Sequence, residues 1–173
     1  MTPLLAHLAL MARHNAWAYG RLLDAVAAVS EADYRRDMGL FFRSIHGTLN
    51  HLRVGEQLLW FERFAAGRSP ALALDAEVEP DRERLTGALR AGAARWIDWL
   101  PTVPPARCDG TIDYTTTRGE TVSLPWTGTL AHVFVHSTHH RGQITAALTA
   151  LGHPCPVLDL VYFLRAEQAG ATS

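Results

Sequence analysis

Residues 132–143 read His-Val-Phe-Val-His-Ser-Thr-His-His-Arg-Gly-Gln, a stretch with four histidines. Apolar residues recur at helical spacing on both sides of it, from Leu130 to Leu151. The pattern predicts a helix from about Pro125 to Leu151, and Gly152 follows as its C-terminal stop. This predicted fourth helix carries the densest group of side chains that could do chemistry.

Three of these histidines share one face of the predicted helix. His132, His136 and His140 are four residues apart, and residues at that spacing have Cβ atoms roughly 5 to 6 Å apart. Imidazoles placed in this way can converge on one metal ion, which holds each nitrogen at about 2.0 to 2.1 Å. Helical histidines are also often merely exposed or hydrogen-bonded, so the spacing alone leaves both interpretations open.

A pair of histidines at i and i+4 on one helix supplies two ligands, so a third ligand has to come from another helix. The second predicted helix, from about Leu40 to Ala66, offers His51, and small residues lie beside it on the same face. Gly55 would leave a void in a packed core, so this face is better suited to line a cleft that a substrate enters. The alternative interpretation of His51 is a core histidine bonded to a carbonyl group or to water.

The rest of the chain is mostly helical. Apolar spacing predicts three more helices: a first from Thr2 or Pro3 to about Val29, a third from about Asp81 to Leu100, and a short fifth from about Val157 to Gln168. Residues 111–124 are rich in β-branched side chains, with Arg118-Gly119 at a turn. This segment predicts a small β-hairpin between helices three and four.

The connection between helices two and three is unusually long. It has 13 residues, from Gly67 to Glu79, and can span roughly 43 Å at 3.3 Å per residue, longer than the ~30 Å of a 20-residue helix. It can therefore cross the whole bundle and leave the two helices parallel. With 173 residues, the chain is expected to form one domain over residues 1–173.

Composition excludes several classes of function. All sixteen basic residues are arginines, which excludes Schiff-base and pyridoxal-phosphate chemistry and the Walker-A phosphate loop. The net charge is −1 and no long basic run occurs, so we expect no nucleic-acid partner. No stretch reaches the roughly 18 to 20 apolar residues of a membrane span, so we expect no membrane partner. Cys108 and Cys155 are expected to be free thiols in a reducing, cytoplasmic compartment.

Competing motifs are absent from the sequence. A zincin H-E-x-x-H motif needs glutamate where Ser137 stands, and no glutamate is followed three residues later by histidine as in di-iron bundles. No G-x-G occurs, so the dinucleotide fingerprint is missing. A cysteine nucleophile at Cys108 or Cys155 stays open, although both cysteines stand near prolines.

The string H-x-x-x-H-R-G-Q at 136–143, with Asn50-His51 and the ending Pro156-Val-Leu-Asp159-Leu, resembles the damage-inducible DinB (YfiT-like) family. The resemblance covers essentially the whole chain. It implies an all-α four-helix bundle in an up-down-down-up arrangement, into which the small β-hairpin is inserted between helices three and four.

The resemblance also implies a site for a divalent metal, usually zinc or nickel. Carried over residue by residue, its ligands are His51, His136 and His140. Family relatives include thiol transferases that use low-molecular-weight thiols such as bacillithiol or mycothiol, and a mycothiol-dependent maleylpyruvate isomerase. We therefore expect a metal-dependent enzyme of thiol-S-transferase or hydrolase type, because an open Lewis-acidic ion lowers the pKa of a bound water or thiol.

Two further residues are candidates for catalysis. Glu56 stands where family members often have an acidic residue, and Arg141 could bind an anionic substrate group. Arg141 is equally suited to a bridge with a carboxylate inside the bundle or at a dimer interface. His132 is a candidate for supporting the ligands, and His139 should point about 100° away from His140.

Two non-catalytic hypotheses stay open. In a metal-binding stress-response module, His132, His139, Glu56 or Cys155 would supply a fourth ligand, because structural zinc sites normally close with four. In an interaction scaffold, the five tryptophans would lie at a homodimer surface, although core packing is the simpler explanation. The resemblance itself implies a homodimer. Metal affinity is expected to fall as the pH drops through about 6, since ligation requires neutral imidazoles.

Overall fold

The computed structural model describes residues 2–171 of the chain. Within that range the α-helices are α1 (Pro3–Ala27), α2 (Glu31–Arg35), α3 (Ile45–Leu52), α4 (Phe61–Ala66), α5 (Arg82–Trp99), α6 (Trp126–Ala150) and α7 (Leu160–Ala171). A π-helical segment, Arg53–Trp60, joins α3 to α4. Two 3₁₀ turns, Leu100–Thr102 and Pro105–Asp109, precede the strands β1 (Thr111–Thr115) and β2 (Thr121–Pro125).

Four long helices form a bundle. They are α1, the continuous helix 45–66, α5 and α6, and we call helix 45–66 the second bundle helix. Its Gln57 side chain donates to the carbonyl of Leu89 at 2.9 Å, and Phe61, further along, packs edge-on against Trp96 of α5 at 4.9 Å. Later residues of one helix therefore lie beside later residues of the other, so these two helices are parallel. The predicted up-down-down-up bundle is confirmed.

The parallel arrangement requires the crossover segment, residues 67–81, to return along the second bundle helix. Gly67 ends that helix in the left-handed conformation (φ 63°), which glycine adopts without strain. The chain then passes Leu74, whose carbonyl lies 2.8 Å from His51 Nδ1. At Glu79 its backbone exchanges two hydrogen bonds with the Asn50 side chain, at 3.0 and 3.1 Å. The crossover segment is thus held to the second bundle helix at Leu74 and at Glu79 before α5 begins.

Helix starts follow the capping residues of the sequence. The Ser44 hydroxyl accepts from the Gly47 N–H at 3.0 Å and begins α3, so the predicted start of the second helix at Leu40 was wrong. Arg43, just before this cap, has φ 68°, a conformation that cannot continue a helix. Ser30 caps the short α2, which apolar periodicity did not predict.

The C-terminal helix also begins later than predicted, at Leu160 instead of Val157. The Val157 carbonyl accepts from Arg21 at 3.0 Å, and the Leu158 carbonyl lies 2.8 Å from His14 Nε2. These two side chains of α1 bond to carbonyls that a helix would use internally, and the helix begins only at Leu160.

The predicted β-hairpin is present. Strands β1 and β2 pair antiparallel in the register Thr111↔Pro125 to Thr115↔Thr121. Gly119 lies in the turn with φ 85°, which favours glycine. The hairpin carries Tyr114 to the side of the bundle, where its ring packs edge-on against Trp60 at 5.0 Å.

The bundle interior has two apolar clusters of buried residues. One is centred on Leu22, Leu49 and Leu89, and the other on Leu8, Trp96 and Phe134. The tryptophans are buried or half-buried: Trp96 and Trp126 are fully buried, and Trp17, Trp60 and Trp99 are half-buried. The core-packing explanation therefore fits them better than an exposed surface. Within residues 2–171, no helix is long and apolar enough to cross a membrane.

Candidate metal centre

Three histidine side chains from two helices meet between the second bundle helix and α6. The Nε2 atom of His136 lies 3.3 Å from Nε2 of His51 and 3.1 Å from Nε2 of His140. All three ligand atoms fall within 4.8 Å of one another. For comparison, two nitrogens held about 2.0 to 2.1 Å from one ion in a tetrahedral arrangement lie ~3.3 Å apart. The spacing of the imidazoles therefore fits one metal ion.

Neighbouring groups determine which ring nitrogen carries the proton. His51 Nδ1 lies 2.8 Å from the Leu74 carbonyl, and His140 Nδ1 lies 2.8 Å from Gln143 Oε1. Both partners accept hydrogen bonds, so each Nδ1 donates its N–H and each Nε2 is left with a lone pair facing the cluster. A proton on His136 Nε2 can bond to only one of these two lone pairs at a time. A metal cation can accept the Nε2 lone pairs of all three histidines, which is the fit expected of a metal site.

Burial keeps the cluster uncharged. The pKa of His51 is lowered to about 4, chiefly by burial, although the Leu74 carbonyl opposes this. The pKa of His136 is lowered to about 3 by burial and by the neighbouring imidazoles, and burial also lowers that of His140. The imidazoles are therefore neutral at pH 7, the form that ligates metals. Protonation of the folded site begins at a lower pH than the ordinary value of 6.5 implies.

The Phe42 side chain packs against the face of the His51 ring. The Phe42 ring is stacked on it with centroids 3.7 Å apart and an angle of 14°, and it meets the His140 ring edge-on at 5.5 Å. Phe42 belongs to the loop before Ser44, which periodicity had assigned to the second helix. The same error in the helix start therefore hid this contact from sequence reasoning.

The remaining side of the cluster faces a cavity of about 310 Å³. A β-carbon at Gly55 would lie 3.7 Å from His136 Cε1 and 3.9 Å from His51 Cε1, so any larger side chain there would project over the imidazoles. The predicted role of Gly55 in lining a cleft is confirmed. The cavity is lined by His51, Gly55, Leu59, Trp60, Arg63, Leu74, Tyr114, Thr116, Thr117, His132 and His136.

Glu56 lies outside this cavity, buried among α1, the second bundle helix and α6. Its carboxylate accepts from Asn15 Nδ2 at 2.9 Å, from the Tyr19 hydroxyl at 2.8 Å and from the Ser137 hydroxyl at 2.5 Å. Burial raises the pKa of Glu56, and these three donors together with the Arg141 charge oppose the shift. Since Ser137 is the next residue after His136, this network fixes α6 against the other two helices beside the histidine cluster.

Arg141 belongs to the same buried network. Its guanidinium donates to Asn15 Oδ1 and, at 3.0 Å, to Thr138 Oγ1, and its side chain is 2% exposed. It borders a different cavity, between α1, α6 and the segment before α7. Neither Glu56 nor Arg141 lines the cavity beside the histidines, so the structure does not bring these two candidates to the cluster.

The other histidines of α6 lie outside the cluster. His132 lines the cavity, with its ring 5.4 Å from that of His136. His139 is exposed and its Nε2 lies 3.3 Å from Gln143 Nε2. Cys155 is exposed and borders the cavity beside Arg141. Within residues 2–171, the groups close enough to act as ligands are the three histidines alone.

Fold and site together define a helical-bundle protein with a three-histidine centre. The sequence profile of the DinB family matches residues 3–171, and the chain therefore belongs to the DinB family. No curated protein matches the sequence. Among solved structures, YfiT from Bacillus subtilis, described as a probable metal-dependent hydrolase with an unusual four-helix bundle topology, has the same fold with a TM-score of 0.63. Its identity is 15%, and the match covers 82% of this chain and 86% of that chain.

Proposed function

We propose that the protein is a divalent-metal-dependent enzyme in which His51, His136 and His140 hold the ion. The observation that carries this proposal is the convergence of three neutral imidazole nitrogens beside an open cavity. A site with three protein ligands keeps a position for water or substrate, which is typical of catalytic zinc sites, whereas structural zinc sites close with four. The YfiT description supports the same class of function.

The reaction is the hydrolysis of an electrophilic substrate, or the transfer of a low-molecular-weight thiol to it. When bound, a zinc or nickel ion supplies Lewis acidity that makes a coordinated water or thiol nucleophilic near neutral pH. The Leu74 carbonyl and the Gln143 side chain orient the His51 and His140 rings, as outer-shell partners of metal ligands commonly do. Tyr114, Thr116 and Thr117 of the β-hairpin region form one wall of the cavity in which the substrate would bind.

Glu56 is proposed as a positioning residue, because it acts through Ser137 and α6 and does not reach the cavity. Arg141 has the same role, since it bonds Asn15 and Thr138 inside the bundle. Neither residue is therefore assigned a direct role in catalysis or in binding the substrate.

The experiment is elemental analysis by mass spectrometry of untagged protein reconstituted separately with zinc and nickel. We expect about one ion per chain in the wild type and almost none in His51→Ala and His136→Ala. His7→Ala, a change at an exposed histidine of α1, is the matched control and should keep its metal. Metal-loaded wild type is then tested on a panel of esters and of electrophiles with small thiols. Absence of metal after reconstitution would overturn the proposal.

A homodimer is proposed as the assembly. Apolar side chains are exposed along α6 and α7, and they include Val135 (60%), Val161 (57%) and Tyr162 (47%). Large apolar side chains exposed in this way favour an interface with a second copy of the chain. Light scattering coupled to size exclusion should give twice the chain mass, and Val161→Arg should give the single mass. We also propose a reducing, cytoplasmic location, which the two free cysteines support.

A further inference from the structure

The cavity beside the three histidines contains one arginine whose charge the protein does not neutralise. Arg63, on α4, is 6% exposed and lines this cavity. Among residues 2–171 no carboxylate pairs with it. The adjacent Glu62 pairs instead with Arg68 at 2.5 Å and with Arg95 at 3.7 Å. A guanidinium stays charged under all ordinary conditions, so this is a buried charge that lacks a counter-ion.

The hydrogen bonds of Arg63 are also incomplete. Its Nη2 donates to the Thr115 carbonyl of β1 at 3.1 Å, whereas its Nε is buried and has no partner among the described residues. A buried donor left unpaired costs roughly 1 to 3 kcal/mol. Its Nη1 has no hydrogen bond among the described residues and is not one of the buried unpaired atoms, so Nη1 is the donor that a ligand in the cavity can reach.

Two aromatic rings pack against the guanidinium. Its central carbon lies 4.6 Å from the centre of the Trp60 ring and 4.4 Å from that of Tyr114, and those two rings meet edge-on. The two rings attract the guanidinium by cation–π interaction, but they accept no strong hydrogen bond from it. Apart from the bond from Nη2 to Thr115, the N–H groups of the guanidinium have no acceptor among the described residues, so it can still pair with a planar anion.

We propose that Arg63 binds a carboxylate group of the substrate, whose reactive end lies at the three-histidine cluster in the same cavity. This inference rests on the proposed function and specifies its substrate class: small organic carboxylates. A sphere of the cavity's volume is about 8 Å across, the size of a molecule with a few carbons between the two ends. A carboxylate fits better than a phosphate, because a single guanidinium among aromatic rings and threonine hydroxyls matches one planar negative charge.

The binding test uses succinate and its neutral counterpart succinamide, titrated by calorimetry at constant ionic strength into metal-loaded and metal-free protein. We expect the wild type to prefer succinate over succinamide at least tenfold in both forms. Arg63→Met should lose that preference, and Arg63→Lys should weaken succinate binding at least threefold, because a lysine cannot present the planar fork. Arg68→Met, at an exposed arginine paired with Glu62, is the matched control and should bind succinate like the wild type.

Several results would overturn the inference. They are a wild type that does not distinguish succinate from succinamide, an Arg63→Met protein with wild-type affinity, or a preference for inorganic phosphate over succinate. The first and third need only the wild type, so they decide the question even where a variant fails to fold.

The metal content of each variant separates this inference from the proposed function. If the wild type binds no metal but Arg63→Met abolishes succinate binding, the carboxylate site is supported and the proposed metal site is refuted. If the wild type binds metal but Arg63→Met leaves succinate binding unchanged, the metal site is supported and the carboxylate site is refuted.

Discussion

Among single residues, Glu56 is a buried carboxylate that three side chains hold in place. Three hydrogen bonds from Asn15, Tyr19 and Ser137 end on its carboxylate, which is 1% exposed. Removing a buried acceptor leaves its donors unpaired, and each such group costs roughly 1 to 3 kcal/mol. We therefore predict that Glu56→Ala lowers the free energy of unfolding by about 3 kcal/mol or more, measured by urea denaturation.

Two variants make this prediction specific to the buried network. Glu56→Gln keeps the shape of the side chain and should lose less stability than Glu56→Ala. Glu167→Ala removes a surface pair with Arg13 at 2.8 Å and should cost under about 1 kcal/mol. Equal losses in Glu56→Ala and Glu167→Ala would contradict the assignment.

The residues of the site differ in how far the sequence could reveal them. The i, i+4 spacing placed His132, His136 and His140 on one face, and the small-residue face of the second helix offered His51. The family resemblance then selected His51, His136 and His140 as the ligands. Arg63 carries no such signal, because its importance arises from the lack of a carboxylate partner, which only the packing of the hairpin against α4 reveals. The Leu74 carbonyl is a backbone group and is invisible in a pattern of side chains.

At the scale of elements, the crossover segment is part of the histidine cluster, since its Leu74 carbonyl orients the His51 ring. Asn50 is the residue that holds this segment to the second bundle helix, through two hydrogen bonds with the Glu79 backbone. We predict that Asn50→Ala weakens metal affinity about tenfold, because loss of an outer-shell support typically costs 10- to 100-fold. Competition with a chromogenic chelator measures this affinity.

Matched variants locate the effect in the crossover segment. Asn50→Asp keeps the acceptor and loses the donor, so its affinity should lie between those of the wild type and Asn50→Ala. Thr149→Ala, at an exposed position near the end of α6, should leave the affinity unchanged. An Asn50→Ala protein with wild-type metal affinity would show that Leu74 does not need this anchor.

The elements themselves were largely predictable. Periodicity located all four bundle helices and the β-branched segment located the hairpin, because one buried face imposes those patterns. Helix starts depended on caps such as Ser44, which periodicity does not weigh. The π segment had no recognisable signal, since its residues keep helical burial while the hydrogen bonds lengthen to i+5.

For the whole molecule, the first prediction concerns the metal as a link between two helices. A ligand that binds only the folded state stabilises it by about 2.7 kcal/mol at a free concentration of 100 times its Kd. We therefore expect chelation to lower the Tm of the wild type by several degrees and to leave that of His136→Ala unchanged. A Tm that does not respond to chelation in metal-loaded wild type would contradict the site.

The second whole-molecule prediction concerns acid stability of the metal-free protein. Because the folded pKa values of His51 and His136 lie at about 4 and about 3, the unfolded chain takes up protons below pH 6.5 that the folded chain does not. Stability is therefore full above that pH and falls as the pH drops from about 6.5 towards 4.

Urea denaturation of chelator-treated protein at pH 7.5, 6 and 5 measures this loss. His136→Asn should show a shallower decline than the wild type, and His139→Ala, at an exposed histidine, should decline like the wild type. A free energy of unfolding that is constant across this range would contradict the lowered pKa values.

The crossover segment also restricts how this chain can diverge in length. Between Gly67 and Leu74 it has no regular structure, so extra residues there could bulge outward at the small entropic cost of a longer loop. Between Leu74 and Glu79 only four residues join two anchored points, and an insertion would displace one of them. Homologous chains are therefore expected to vary in length before Leu74 and to keep a constant length after it.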